Sequence, residues 1–108
     1  MLIVTTESIP GKEITEVKGL VRGGAIRSKH IGSDIGSAFK QIVGGELNSY
    51  NEMLAEARQM AIGRMVEDAE SKGANAIIGV RLMSSSVMSG AAEMVAYGTG
   101  VVISSEQE

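Results

Sequence analysis

The stretch Ala92–Ile103, AEMVAYGTGVVI, has the pattern of a strand whose two faces differ in size. One face carries Glu93, Val95, Tyr97, Thr99, Val101 and Ile103. The other carries Ala92, Met94, Ala96, Gly98, Gly100 and Val102. Because successive side chains of a strand point to opposite faces, this second face leaves room for another element to approach closely. We therefore predict a helix packed on it, in a helix-on-sheet α+β domain.

A long helical pattern over residues 48–72 supplies the partner for that face. Its apolar stripe recurs at helical spacing through Tyr50, Leu54, Ala57, Ala61, Met65 and Ala69. Ser49 and Glu52 have capping-box spacing at the start, and Gly73 is a natural residue to follow the last turn. Gly63 lies inside the pattern and costs about 1 kcal/mol relative to alanine. We predict that close packing against a neighbour offsets this cost.

The N-terminal half contributes two strands and a short helix. Residues 2–5 form a short β-branched strand. Residues 14–26 form a long one, in which glycines indicate bulges or close backbone approach, namely Gly19, Gly23 and Gly24. Ser33 and Asp34 are suited to begin a short helix, which Gly44 and Gly45 end.

A third strand over residues 75–83 precedes the final one. Strict alternation places Ala76, Ile78, Val80 and Leu82 on one face. The serines at 84–86, with Ser89 and Gly90, indicate a turn or a frayed hairpin end. The predicted order is therefore β-β-α-α-β-β, with the last two strands as an antiparallel hairpin, in a single domain of residues 1–108.

Composition restricts the classes of function. The 108 residues contain no cysteine, one histidine and three aromatic side chains, and the net charge is −3. A disulfide framework and a thiolate nucleophile are therefore excluded, and nucleic-acid binding lacks both a basic patch and a stacking platform. The N-terminus has neither a positive region nor an apolar run of signal-peptide length. We expect a cytoplasmic protein with no membrane partner.

Several short motifs occur together in one order along the whole chain. They are Thr5-Thr6, Ile9-Pro10-Gly11, Gly44-Gly45-Glu46, Tyr50, Ala57-Arg58, Ala61, Gly73-Ala74-Asn75-Ala76-Ile77-Ile78-Gly79-Val80-Arg81 and Tyr97-Gly98-Thr99-Gly100-Val101. This combination resembles the YbjQ-like family of small uncharacterised bacterial and archaeal proteins, which carries a heavy-metal-binding label. Many members have alanine at the position of Gly100, a difference that concerns packing.

The resemblance implies a small α+β fold, in which a curved antiparallel sheet carries one short and one long helix. It also implies a ring-shaped homo-oligomer, a pentamer, and no established reaction. The residues alone favour assembly without a subunit number, because both faces of the last two strands are largely apolar or small and the helices cannot cover both.

Glu46, Tyr50 and Arg58 form the candidate ligand-binding site. Tyr50 and Arg58 lie about two helical turns apart, and Glu46 precedes Tyr50 by four residues. An arginine beside a tyrosine can hold a carboxylate or phosphate with two hydrogen bonds. The alternative is structural, with Arg58 paired to Glu46 or to a neighbouring subunit as a brace.

Metal binding has weak support from the residue types. Heavy metals prefer thiolate or clustered imidazole, whereas His30 with Asp34 is the single histidine–carboxylate pair at helical spacing. The methionines Met53, Met60 and Met65 fall on or beside an apolar stripe, where core packing is their usual role. We assign no metal ligand, no cofactor and no catalytic residue. The leading hypothesis is a non-enzymatic ring that binds a small ligand or ion at subunit interfaces; the alternative is a metal-binding protein.

Overall fold

The computed structural model describes residues 1–28 and 45–104, with side chains from residue 48 onward in the second range. The elements are β1 (Leu2–Ile3), β2 (Glu13–Ser28), α1 (Gly45–Ser71), β3 (Ala76–Met88) and β4 (Ala91–Ser104). The α+β class and the long helix are confirmed. The predicted short helix between Ser33 and Gly44 lies outside the described residues.

The four strands form one sheet in the order β1-β3-β4-β2. β4 is central and pairs antiparallel with both β2 and β3. The expectation of a purely antiparallel sheet is wrong at one edge, because β1 runs parallel to β3 and pairs with Ala76 and Ile77. β2 occupies the opposite edge of the sheet. The parallel β1 at this edge makes the sheet mixed.

Glycines produce bulges in both long outer strands. In β2 the register shifts between Val17 and Gly19, where Gly19 has φ of 103°, which confirms the bulge predicted there. In β3 the register shifts between Ile78 and Arg81, and Gly79 has φ of 62°. This extra residue reverses the predicted alternation.

The core therefore contains a different set of β3 side chains from the predicted one. Ile77 and Val80 join the core cluster, whereas Leu82, on the same predicted face as Val80, is exposed. The bulge is held by the N-terminal segment, since the amides of Gly79 and Val80 donate to the carbonyls of Thr6 and Val4. Strict alternation fails here because the bulge adds one residue that has no pairing partner in β4, so the side chains after it change face.

The serine run does not form a turn. Ser84, Ser85 and Ser86 continue β3 and pair with Met94, Glu93 and Ala92 of β4. The reversal comes later, at Ser89-Gly90, where Gly90 has φ of 78°. Pairing along the full length of β4 outweighs the weak strand preference of serine.

α1 lies across one face of the sheet and contacts β2 most extensively. Its fully buried stripe recurs every four residues, at Ala57, Ala61, Met65 and Ala69. The closest approach is at Gly23 of β2, where a Cβ atom would overlap the Ala61 carbonyl oxygen and the Met65 amide nitrogen. The helix backbone therefore rests directly on the strand backbone.

This contact refines two packing predictions. The small face of β4 does face the helix, since Met94 and Ala96 share a core cluster with Ala57 and Ala61. However, side chains of neighbouring segments fill the space at its glycines, with Ile77 and Val80 over Gly98, and Val21 and Ala74 over Gly100. The prediction for Gly63 is wrong, because a Cβ there would meet nothing within 4 Å.

The C-terminus of α1 has the predicted glycine ending. Gly73 has φ of 86°, its amide donates to the Glu70 carbonyl, and the Ala74 amide donates to the Ala69 carbonyl. This pair of bonds is a Schellman motif. No helix in the described part of the chain has the length and apolar character needed to cross a membrane.

Gly23→Ala is expected to destabilise the fold by about 1–3 kcal/mol, since the new methyl group must push the helix backbone off β2. Gly24→Ala is the matched control, because the nearest atom to a Cβ there lies at 3.8 Å. Urea unfolding of the two variants measures the difference. Equal stability of Gly23→Ala and Gly24→Ala would contradict the direct backbone contact.

Candidate functional site

Three charged side chains, two on α1 and one directly after its last residue, reach the outer edge of β2. Arg64, Asp68 and Lys72 follow at intervals of four residues, so they share a helix face. Arg64 Nη1 donates to the Gly24 carbonyl at 2.7 Å, and Lys72 Nζ donates to the Leu20 carbonyl at 2.8 Å. Between them, Asp68 Oδ2 accepts from the Arg22 amide at 3.0 Å. We call these three side chains the edge-capping stripe.

The central member of the edge-capping stripe has a shifted pKa. The hydrogen bond from the Arg22 amide lowers the pKa of the Asp68 carboxyl, partial burial opposes this, and Lys72 at 3.2 Å lowers it further. Asp68 is therefore held in its charged form as a hydrogen-bond acceptor. Its role is structural, because its contacts join the helix to the edge strand.

A second charged contact lies farther along β2. Arg27 Nη2 donates to Glu56 Oε1 at 2.8 Å, and Nη1 lies 3.7 Å from the Met60 sulfur. These residues, with Ala55 and Gln59, line an open cleft of about 490 Å³. The ion pair is substantially exposed on both sides, so it contributes little to stability.

The candidate ligand residues lie along the first half of α1. Tyr50 is half-buried and Arg58 is exposed. Their eight-residue separation corresponds to about 12 Å along the helix axis. Glu46 lies in the first turn of the helix, but its side chain is outside the described residues. In the described side chains, no ion pair joins Arg58 to an acid. The ligand site at these three residues stays a prediction.

We call the face of the sheet opposite α1 the outer face. It carries a row of three side chains that are not among the predicted site residues. Tyr97 of β4 pairs with Arg22 of β2 on one side and Arg81 of β3 on the other. Tyr97 is half-buried and both arginines are exposed. Arg81 Nη1 also donates to the Thr5 carbonyl at 3.0 Å. The alternation in the sequence places Tyr97 on one face of β4. The strand registers determine which residues of β2 and β3 lie beside it.

Exposed apolar side chains flank this row on the outer face. Leu20 pairs with Thr99, Ile26 with Glu93, and Met83 with Val95. Leu20 is 63% exposed, Ile26 64% and Met83 58%. In the part of the chain that the structure describes, no helix covers them, because α1 occupies the other face.

Metal-binding residues do not come together in the described ranges. Residues 1–28 and 45–104 contain no group of three or more histidine, cysteine, aspartate or glutamate side chains that could hold an ion. His30 and Asp34 lie outside those ranges. Met53 and Met65 are buried, which confirms core packing for both, and Met60 is partly buried.

The architecture defines a class of small two-layer α+β proteins, in which one long helix covers one face of a mixed sheet. The YbjQ family, described as "Putative heavy-metal-binding", matches residues 1–104. The chain belongs to this family, as its motifs predict.

Similar proteins come from distant microorganisms. A UPF0145 protein of Clostridioides difficile is 71% identical over 103 residues, covering 95% of this chain and 92% of that one. A UPF0145 protein of Thermosipho africanus is 56% identical, and the match covers both chains fully. A crystal structure of a protein of unknown function, from the DUF74 family of Pediococcus pentosaceus, has a TM-score of 0.59 at 19% identity. That match covers 96% of this chain and 98% of the other, and it supports the fold.

The depressed pKa of Asp68 predicts a specific pH dependence. Its stabilising contribution is fully present above the unfolded-state pKa, about 3.9, and is lost as the pH falls through the lower folded-state pKa. Asp68→Asn keeps an oxygen acceptor but removes the charge. Urea unfolding should therefore show the variant less stable than wild type at pH 7, by about 1 kcal/mol, with the gap closing on acidification.

Glu67→Gln removes a neighbouring charge from an exposed position and serves as the control. It should change the free energy of unfolding little at either pH. A gap between wild type and Asp68→Asn that is constant with pH would contradict the assigned role of the carboxylate.

Proposed function

We propose that this protein works as a cytoplasmic, non-enzymatic homo-oligomer, a ring of five subunits, that binds a small anion at subunit interfaces. The observation that carries the proposal is the set of exposed apolar side chains on the outer face of the sheet, on either side of the row formed by Arg22, Tyr97 and Arg81. Leu20, Ile26 and Met83 extend into solvent there in the single chain. Contiguous exposed apolar patches mark interaction sites in soluble proteins.

The shape of the chain supports assembly. The described part measures 62 × 22 × 15 Å and has a radius of gyration of 18.0 Å. A compact domain of this length has a radius of about 13 Å. One thin sheet and one helix therefore expose much of their surface, and association between subunits would bury it.

Two sets of side chains support the proposal that the protein binds an anion. On the outer face, Arg22 and Arg81 flank Tyr97 across three strands. Guanidinium groups bind carboxylate and phosphate with two parallel hydrogen bonds. On the helix, Arg58 is exposed next to the predicted site with Tyr50 and Glu46. A neighbouring subunit that packs on either surface would enclose the ligand.

Metal binding is the second candidate, and the description of the family favours it. In a ring, one carboxylate or histidine from each subunit could meet around the axis and bind a cation. Elemental analysis of the purified protein tests this. Stoichiometric metal, together with a melting temperature that divalent ions raise, would favour metal over the anion.

Assembly is tested by light scattering at micromolar concentration, where we expect a mass several times that of one chain. Ile26→Lys should lower that mass, because it places a charge in the proposed interface, while lysine opposite Glu93 is a favourable cross-strand pair within the chain. Its cost to the fold should be small, since the side chain is already 64% exposed. Gln59→Glu, a charge on the exposed side of α1, should leave the mass unchanged. A monomeric wild type would contradict the proposal.

Anion binding is tested by thermal unfolding with and without millimolar inorganic phosphate. Phosphate should raise the melting temperature of the wild type, since it binds the folded state. Arg22→Ala and Arg58→Ala separate the two surfaces, because the variant that removes the site should lose this rise while keeping the assembled mass. A smaller assembly in Arg58→Ala would instead show that Arg58 has a structural role in the contact between subunits. No rise in the wild type would contradict phosphate binding.

A further inference from the structure

The two long edges of the sheet differ in how their backbone groups are satisfied. On the β2 edge, the edge-capping stripe occupies the Leu20 carbonyl, the Arg22 amide and the Gly24 carbonyl. A strand of another molecule cannot pair there without displacing those side chains. Covering an edge is a common way to prevent unwanted strand pairing.

The β3 edge is covered over part of its length. β1 pairs with Ala76 and Ile77, and the segment after β1 reaches Gly79 and Val80 through backbone hydrogen bonds. From Leu82 to Met88, no strand among the described residues lies on that side. All seven residues are exposed. They carry no charge and no proline, two of the usual protective features of an edge. The register with β4 is irregular only between Ser86 and Met88 in this segment.

The register determines which groups this open edge presents. The Arg22 amide points away from β4, toward Asp68, so its partner Tyr97 directs its own amide and carbonyl toward β3. The backbone amide and carbonyl of Arg81, which lies opposite Tyr97, therefore bond to β4. Those of Ser85, four residues later, do the same. By the same alternation, the amides and carbonyls of Leu82, Ser84 and Ser86 point outward.

The sequence of the edge is close to a palindrome. Leu82-Met83-Ser84-Ser85-Ser86-Val87-Met88 has serines in the middle and apolar residues at both ends. If two copies run antiparallel about Ser85, Ser84 lies opposite Ser86, within the part of β3 that is regular from Leu82 to Ser86. The apolar residues Leu82 and Met83 of one copy then lie near Val87 and Met88 of the other. Apolar side chains then meet apolar ones, and hydroxyls meet hydroxyls, the combinations that stabilise cross-strand pairs.

We propose that the Leu82–Met88 edge pairs with the same edge of a second copy, about a two-fold axis at Ser85. The outward groups of Ser84 and Ser86 bond to those of Ser86 and Ser84 in the second copy, and the two sheets become continuous. Such a contact uses one surface twice. It is therefore a different kind of contact from the ring, whose contacts join two different surfaces, and it would join two rings back to back. Met83 is the one named residue that both contacts use.

Ser85→Cys tests the axis directly, since the chain contains no other cysteine. Ser85 would face its own copy in a non-hydrogen-bonded pair, where Cα atoms lie about 4.5 Å apart, within the span of a disulfide. Mild oxidation should give a covalent dimer on a denaturing gel. Ser84→Cys is the matched control, because its two copies would be displaced along the strands by about 7–8 Å. We expect cross-linking at least tenfold faster for Ser85→Cys.

Ser85→Lys provides a second readout that preserves the fold. Within one chain the lysine lies opposite Glu93, a favourable cross-strand pair, whereas across the axis two lysines face each other. The mass of the assembly should fall by half while each chain stays folded. Equal cross-linking rates of the two cysteine variants, or an unchanged mass for Ser85→Lys, would overturn the proposal. If the proposed ring does not form, Ser85→Cys should still cross-link. Failure of the proposed function and failure of the edge pairing therefore give different results.

Discussion

The backbone contact between α1 and β2 at Gly23 sets the distance between the helix and the sheet. Because residue 23 has no side chain, the helix lies against the strand at Ala61 and Met65. At that short separation, Arg64, Asp68 and Lys72 reach past the strand to its outer edge. A larger separation would leave those backbone groups to water and would weaken the attachment of the helix.

The same contact determines which surfaces are left for function. The helix sits over the β2 side of the sheet, so no helix or strand within residues 1–28 and 45–104 covers the outer face or the far part of the β3 edge. Alanine accounts for nine of the sixteen buried hydrophobic residues named in the described part of the core. Such small side chains bury little apolar area each, so a single chain has a thin core and much to gain from assembly.

Much of the fold could be predicted from local sequence. The long helix, its end at Gly73 and the bulge at Gly19 follow from periodicity and from the conformational freedom of glycine. The bulge at Gly79 could not be predicted, because it depends on hydrogen bonds from the Gly79 and Val80 amides to the carbonyls of Thr6 and Val4, far away in the chain. The prediction for Gly63 was wrong for a different reason. Residue 63 lies midway between the buried Ala61 and Met65, on the exposed side of the helix.

The candidate site was harder to predict than the fold. The motif residues Tyr50 and Arg58 follow one helix, so the sequence could group them. The row of Arg22, Tyr97 and Arg81 comes from three strands, and it depends on registers that two bulges displace. Charged residues of the edge-capping stripe look like ordinary solvent-facing positions, because their backbone partners have no sequence signature.

The central claim is that the helix closes one edge of the sheet and leaves the other for assembly. Amide hydrogen exchange at several protein concentrations tests it most directly. The Arg22 amide, bonded to Asp68, should exchange slowly at every concentration. The amides of Leu82, Ser84 and Ser86 should become slow only when the protein is concentrated enough to assemble. Fast exchange at Arg22, or exchange at the three β3 amides that does not depend on concentration, would contradict the account.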